Sequence, residues 1–291
     1  MKLTLFQTGN RRGVGVIRDG EVIDCSNEAS LPDTIPAILQ AGDEARRELE
    51  AVIKGKAPRY GLDEVKLLPP IPRPGKFLCV GLNYLDHIEE TGAEKPDYPT
   101  IFNKQSTCVI GPGAAIEKPR VSDKLDYEGE LAMVIGRRCR HVPKERAREV
   151  IGGYLAVNDV SVRDWQSHSP TWTMGKSFDT HGPTGPWLVT ADEIGDPHRL
   201  DIRTRVNDDL RQDSNTRHLL FTCDYLVEYL STAFTLEPGD IISTGTSSGV
   251  GFRMEPRGYI KAGDTVRIEI EGIGTLENPV VDEPEQTTFI E

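Results

Sequence analysis

DYEGELAMVIG, residues Asp126–Gly136, ends in an apolar run that reads as a β-strand, and two glutamates stand two residues apart at its start. If the segment is extended, Glu128 and Glu130 project from the same face, because side chains alternate along a strand with period two. Two adjacent carboxylates repel each other unless a positive charge lies between them. An E-x-E pair is more often a solvated strand face, and the chain holds its own control in Glu269 and Glu271 of VRIEIEGIG. The first pair differs because a third acid, Asp159, lies in the apolar run LAVNDV, where an unpaired carboxylate is costly to bury.

Strand signals recur on either side. FLCVGL (Phe77–Leu82) and YLAVNDV read as buried strands, and EPGDIIST and KAGDTVRIEI each begin with a tight turn into a strand. Near the N-terminus, VGVIRDGEVIDC predicts a hairpin that turns at Asp19-Gly20, followed by a helix over about residues 34–54. The four prolines of LLPPIPRPGK (Leu67–Lys76) forbid a continuous helix or a central strand and mark a domain boundary. Residues 1–70 are therefore expected to form a small N-terminal α/β domain and residues 71–291 a strand-rich catalytic domain. PKERAREVIGG suits a short surface helix, IRTRVNDDLRQ a strand pair turning at Asn207–Asp209, and NTRHLLFTCDYLVEYLSTAF a helix. The fold class is α+β.

Composition limits the function. At 291 residues, 37% hydrophobic and 27% charged, the chain can bury a sizeable core. A net charge of −12 argues against nucleic acid and anionic membranes as partners. The N-terminus lacks a signal-peptide core and no stretch has a membrane helix's apolar length, so a cytoplasmic location is the default expectation. Five scattered cysteines without a C-x-x-C pair read as reduced, buried thiols.

Glu128, Glu130 and Asp159 together make an all-oxygen donor set, which suits Mg²⁺ or Mn²⁺, with Ca²⁺ as a possible substitute, rather than zinc. In NYLDHIEETG, His87 and Glu90 stand three apart and share a helix face, so the carboxylate could orient the imidazole as a general base. Lys176 lies in WTMGKSFDTHGPTGPW, a segment dense in turn formers. A loop lysine is usually just solvated, but near three acids it could stabilise an oxyanion. GTSSGVG (Gly245–Gly251) follows a strand as a phosphate cradle does. It lacks the Gly-Lys-Ser/Thr ending of a P-loop, and its N–H groups could equally grip a carboxylate.

VGLNYLDHIEE, DYEGELAMVIG, VNDVSVRDWQ, GKSFDTHGPTGPWLV and TLEPGDIISTGTSSGVG, in this order, resemble the fumarylacetoacetate hydrolase family from about Lys76 to Val280. The resemblance implies a mixed β-sandwich roll, assembled as a homodimer, that acts on a small anionic keto acid. By position, it places metal ligands at Glu128, Glu130 and Asp159, a catalytic pair at His87 and Glu90, and the active-site lysine at Lys176. It also places substrate contacts at Arg163, Gln166 and Thr246. Two motifs depart from the family pattern: FNKQS (Phe102–Ser106) stands for F-x-K-P, and GTSSGVG for GTPxGVG. The chemistry implied is metal-dependent hydrolysis of a C–C bond in an acylpyruvate or other 2,4-diketo acid. Decarboxylation of an oxaloacetate-like β-keto acid is the alternative, then isomerisation or lyase chemistry through the same enolate.

Overall fold

Every residue of the strand Gly129–Ile135 is buried, and its alternation feeds two separate cores. Leu131, Met133 and Ile135 pack with Leu226, Val227 and Leu230 of the helix Cys223–Ala233. Ala132 and Val134 face the other way, into a cluster with Ile35, Ile38, Leu49 and Ile53 of the N-terminal helices. The neighbouring strand Ile151–Asn158 divides likewise, with Tyr154 and Ala156 in the first cluster and Leu155 and Val157 in the second. A sheet covered on both faces explains why these strands read as continuous apolar runs. Each such aliphatic side chain contributes roughly 1.5–3 kcal/mol on burial.

The computed structural model describes residues 1–286 and 288–290. Its main sheet has twelve strands. The central order is Lys2–Thr8, Gly182–Thr190, Ile151–Asn158, Gly129–Ile135, Ile241–Thr246 and Phe77–Gly81. A second, five-stranded sheet sends Ile202, Ile268, Ile270 and Leu276 into the first cluster, which makes the sandwich. The chain is thus strand-rich α+β. The hairpin at Asp19-Gly20 forms between Arg11–Arg18 and Glu21–Asp24, and both turn residues take the positive φ of a tight hairpin turn (52° and 81°). Leu3 pairs with Leu188, so the proposed N-terminal unit extends the main sheet by backbone hydrogen bonds. Among the described residues no helix is long and apolar enough to cross a membrane.

Pairing brings several strand ends to one place. Gly129 lies opposite Asn158, and Glu130 lies opposite both Val157 and Thr246. The start of one strand therefore adjoins the ends of its two antiparallel neighbours. Ile241–Thr246 runs parallel to Phe77–Gly81, which adds a fourth strand end and, beyond it, the helix Leu85–Thr91. Gly92 caps that helix in the left-handed conformation, as its sequence signal predicts.

Local details depart from expectation. The helix over 34–54 is two helices, Ile35–Ala41 and Asp43–Lys54, because Gly42 at φ 61° leaves the helical region between them. The helix sought from Asn215 onward begins only at Cys223, where the Thr222 hydroxyl accepts the Tyr225 N–H as an N-cap. Lys144–Glu149 is a 3₁₀ turn. All five cysteines are buried and free.

Candidate active site

Parity along the strands assembles the acids. Glu128 and Glu130 continue the alternation of Ala132 and Val134, and Asp159 continues that of Leu155 and Val157, so all three belong to the same face. Their carboxylate oxygens lie within 4.8 Å of one another, and the side chains are buried. Among the described residues this is the one group of three or more acidic, His or Cys side chains so placed; Glu269 and Glu271 form none.

Each acid has its own partners. Glu128 accepts from Lys176 Nζ at 2.6 Å and pairs with Arg163 Nη1 at 2.7 Å. Asp159 accepts from Lys176 Nζ at 2.8 Å and from Lys104 Nζ at 2.7 Å. Glu130 accepts from the Ser243 hydroxyl and from the Gly245 N–H at 3.0 Å, and among the described residues it forms no ion pair. Burial raises the Glu128 pKa, but the Lys176 and Arg163 charges prevail and hold it at about 2. Glu130 is pushed well above the ordinary carboxylate range by burial and by the charges of Asp159 and Glu128, against the Ser243 hydrogen bond and Lys176. The buried set thus lacks positive charge beside Glu130. All-oxygen donors at this spacing fit a hard divalent cation, which would supply it.

The remaining sequence-selected residues converge on the same cleft. A cavity of about 420 Å³ is lined by Glu128, Glu130, His87, Arg163, Gln166, Lys176 and Thr246, with Trp172, Phe102 and Phe252 as apolar walls. Asp159 lies behind that lining, fully buried. His87 Nδ1 is 2.8 Å from Glu90 Oε2, and the other Glu90 oxygen accepts the Gly249 N–H at 2.8 Å. A carboxylate can only accept, so Nδ1 carries the proton in this contact and the neutral ring leaves Nε2 as its basic nitrogen. Lys176 ends a one-turn helix, Thr173–Lys176, where a loop was expected, and at 2% exposed it is not a solvated lysine. Burial lowers its pKa, but Asp159 and Glu128 outweigh that and keep it charged. Gln166 Oε1 accepts from Arg163 Nη1 at 3.1 Å, which leaves its amide N–H groups. The Thr246 hydroxyl donates to the Gly129 carbonyl and accepts from Gln212 Nε2, so its own hydrogen is already engaged.

Two participants were not singled out from the sequence. Lys104 of FNKQS is buried against Asp159 and the Lys176 carbonyl, so it ties the acid to the lysine segment. Asp126 accepts from Arg163 Nε and from the Gly251 and Phe252 N–H groups. The glycine loop therefore presents its N–H groups to the protein's own Glu130, Glu90 and Asp126. Phosphate-cradle donors at Gly245, Gly249 and Gly251 are thereby engaged. A larger cavity of about 620 Å³ lies elsewhere, between Ile38, Leu39 and Arg46 of the N-terminal helices and the strand ends at Gly136 and Gly152. It has none of these acids, so the smaller cleft is the candidate site. His181 is buried away from the cleft, with Nε2 on the Glu117 carbonyl and its pKa driven down to about 3 by burial.

Residues 76–281 match the family model described as fumarylacetoacetate (FAA) hydrolase C-terminal. The chain is 40% identical over 288 residues to an oxaloacetate tautomerase of Xenopus laevis, covering 97% of this chain and 90% of that protein. A solved fumarylacetoacetate hydrolase of the psychrophile Exiguobacterium antarcticum superposes with a TM-score of 0.87 at 37% identity, covering 97% and 100% of the two chains. A maleylpyruvate hydrolase of Sphingobium sp. SYK-6, solved with manganese(II) and pyruvate, gives 0.82 at 31% identity, covering 98% and 100%.

Proposed function

The chain belongs to the fumarylacetoacetate hydrolase family, whose members are enzymes, and we propose that it cleaves a C–C bond in a small acylpyruvate or other 2,4-diketo acid. The observation that carries this reading is the pairing of His87 and Glu90 at the wall of a cleft whose floor holds Glu128 and Glu130. Glu128, Glu130 and Asp159 would hold Mg²⁺ or Mn²⁺, which when bound acts as a Lewis acid toward the oxygens of a 2-keto acid. The manganese and pyruvate in the Sphingobium hydrolase support that assignment.

The protein's own groups divide the remaining work. Glu90 fixes the imidazole with Nε2 toward the cleft, so His87 Nε2 takes a proton from water aimed at the distal carbonyl. Lys176, held charged, stabilises the oxyanion that follows, a contribution of roughly 3–4 kcal/mol for a group of this kind. Collapse of that oxyanion to a carboxylic acid breaks the C–C bond, and the departing enolate of the 2-keto acid takes up the proton held by His87. Arg163 balances Glu128 from the other side and holds Gln166 at the cleft wall. Apolar Phe102 and Trp172 limit competing water.

A second reading is keto–enol tautomerisation of an oxaloacetate-like acid, which the 40%-identical Xenopus relative favours. The same His87 would then move a proton between carbon and the ring without water attack. Decarboxylation of such an acid is a further outcome of the same site. Turnover of acylpyruvates and oxaloacetate with Mn²⁺, followed by proton NMR of the products, separates cleavage, tautomerisation and CO₂ loss. Recovery of only keto–enol exchange would replace hydrolysis with the second reading. A homodimer is the expected assembly, and light scattering in solution tests it.

A further inference from the structure

Three cationic side chains line the cleft: Arg163, Lys176 and Arg253. Arg163 is balanced by Asp126 and Glu128, and Lys176 by Glu128 and Asp159. Arg253 differs. Its Nη2 donates to the Glu90 backbone carbonyl at 2.8 Å, and among the described residues it forms no ion pair with an acid. The guanidinium leans over the Phe252 ring at 6.0 Å, and Arg257 covers the same ring at 4.7 Å. Nε, Nη1 and a second hydrogen on Nη2 are left as donors.

Burial places this group. Glu128 and Glu130 are 6% and 1% exposed and form the floor, whereas Arg253 and Phe252 are exposed and form the rim. We propose that Arg253 binds a second carboxylate at the far end of the substrate, so that the cleft takes dicarboxylic keto acids in preference to monocarboxylic ones. This rests on the keto-acid reading of the site and adds the end of the substrate that the floor residues do not reach. A planar guanidinium matches the two oxygens of a carboxylate. A phosphate terminus fits less well, because the backbone N–H groups that would share it at Gly245, Gly249 and Gly251 are engaged by the protein's own acids. The anchor to the Glu90 carbonyl also ties the rim to the helix that carries His87, so engagement of the distal carboxylate fixes the substrate relative to the base.

The test compares 2-oxoglutarate with 2-oxopentanoate, which share a carbon chain and differ in the distal carboxylate, by calorimetric titration into the Mn²⁺-supplemented protein. A charge-assisted contact at the rim is expected to favour 2-oxoglutarate by about tenfold or more. Arg253→Met is expected to reduce that preference to about twofold or less, Arg253→Lys to keep part of it, and added salt to weaken it in the wild type. Equal binding of the two acids by the wild type, or an undiminished preference in Arg253→Met, would overturn the assignment. Arg253 is exposed, and a melting temperature matching the wild type shows that the variant is folded. Turnover separates the two readings. If monocarboxylic and dicarboxylic diketo acids are both inert while the binding preference holds, the reaction proposed above fails and the Arg253 assignment stands. If both react equally well and bind equally well, the reaction stands and the Arg253 assignment fails.

Discussion

Lys176 Nζ lies 2.6 Å from Glu128 Oε2, with both side chains buried. The ammonium also reaches Asp159, so one lysine supplies positive charge to two of the three acids. Removing one partner of such a buried pair typically costs about 3–5 kcal/mol. Lys176→Met is therefore expected to melt at a lower temperature in EDTA and to recover more stability from Mn²⁺ than the wild type does. Its turnover should fall about 10²–10³-fold even with metal present, through loss of the oxyanion contact. An unchanged melting temperature in EDTA would show that the ion pair does not support the fold.

His87 and Glu90 are expected to separate hydrolysis from the other outcomes. Loss of a positioned general base costs typically 10²–10⁴-fold. His87→Ala should lose hydrolysis at about that level while keeping some decarboxylation, which does not need activated water. Glu90→Gln should lose hydrolysis to a similar extent, because with its amide oxygen on the Gly249 N–H its NH₂ group faces Nδ1 and favours the tautomer whose Nε2 carries the proton. Unimpaired hydrolysis in His87→Ala, measured by product NMR, would remove His87 from its assigned role.

The shifted carboxyl groups set opposite pH trends in the metal-free protein. Glu128, held at about 2, stabilises the fold above the ordinary value of 4.5, and this contribution is lost as pH falls from 4.5 toward 2. Glu130 acts in reverse. Its folded form keeps a proton that the unfolded chain releases, so stability declines as pH rises above 4.5. A bound cation must displace that proton, so Mn²⁺ affinity should increase as pH rises above 4.5. Calorimetry in buffers of different ionisation enthalpy should detect proton release, and a pH-independent affinity would contradict the assignment.

Lys104 is buried and paired with Asp159, so Lys104→Met is expected to destabilise the protein by about 3–5 kcal/mol and to weaken metal binding through Asp159. Chemical denaturation and Mn²⁺ titration on the same variant check both effects. A stability loss with unchanged metal affinity would limit Lys104 to a folding role.

The sequence made legible whatever depends on short-range pattern. Period-two alternation put Glu128 and Glu130 on one face, and the three-residue spacing of His87 and Glu90 gave their contact. What it could not show was which long-range contacts form, as the identically spaced Glu269 and Glu271 illustrate. Only strand pairing, with Glu130 opposite Val157 and Thr246, carries Asp159 to the first pair. Lys104 stood only as the matching lysine of FNKQS, a motif noted for its missing proline, and its partner lies 55 residues away. Asp126 was passed over beside the more conspicuous glutamates. Gly42 was missed as a helix break because a single glycine is tolerated in many helices, and its positive φ depends on the tertiary turn between Ala41 and Asp43.

The most direct test of the metal assignment is turnover of acylpyruvates and oxaloacetate by EDTA-stripped protein as Mn²⁺ is added back, for the wild type and for Glu128→Gln. Activity should vanish after stripping, return in the wild type with about one Mn²⁺ per chain, and fail to return in Glu128→Gln at the same metal concentration. Full turnover in EDTA, or equal recovery in Glu128→Gln, would contradict the role given to Glu128, Glu130 and Asp159.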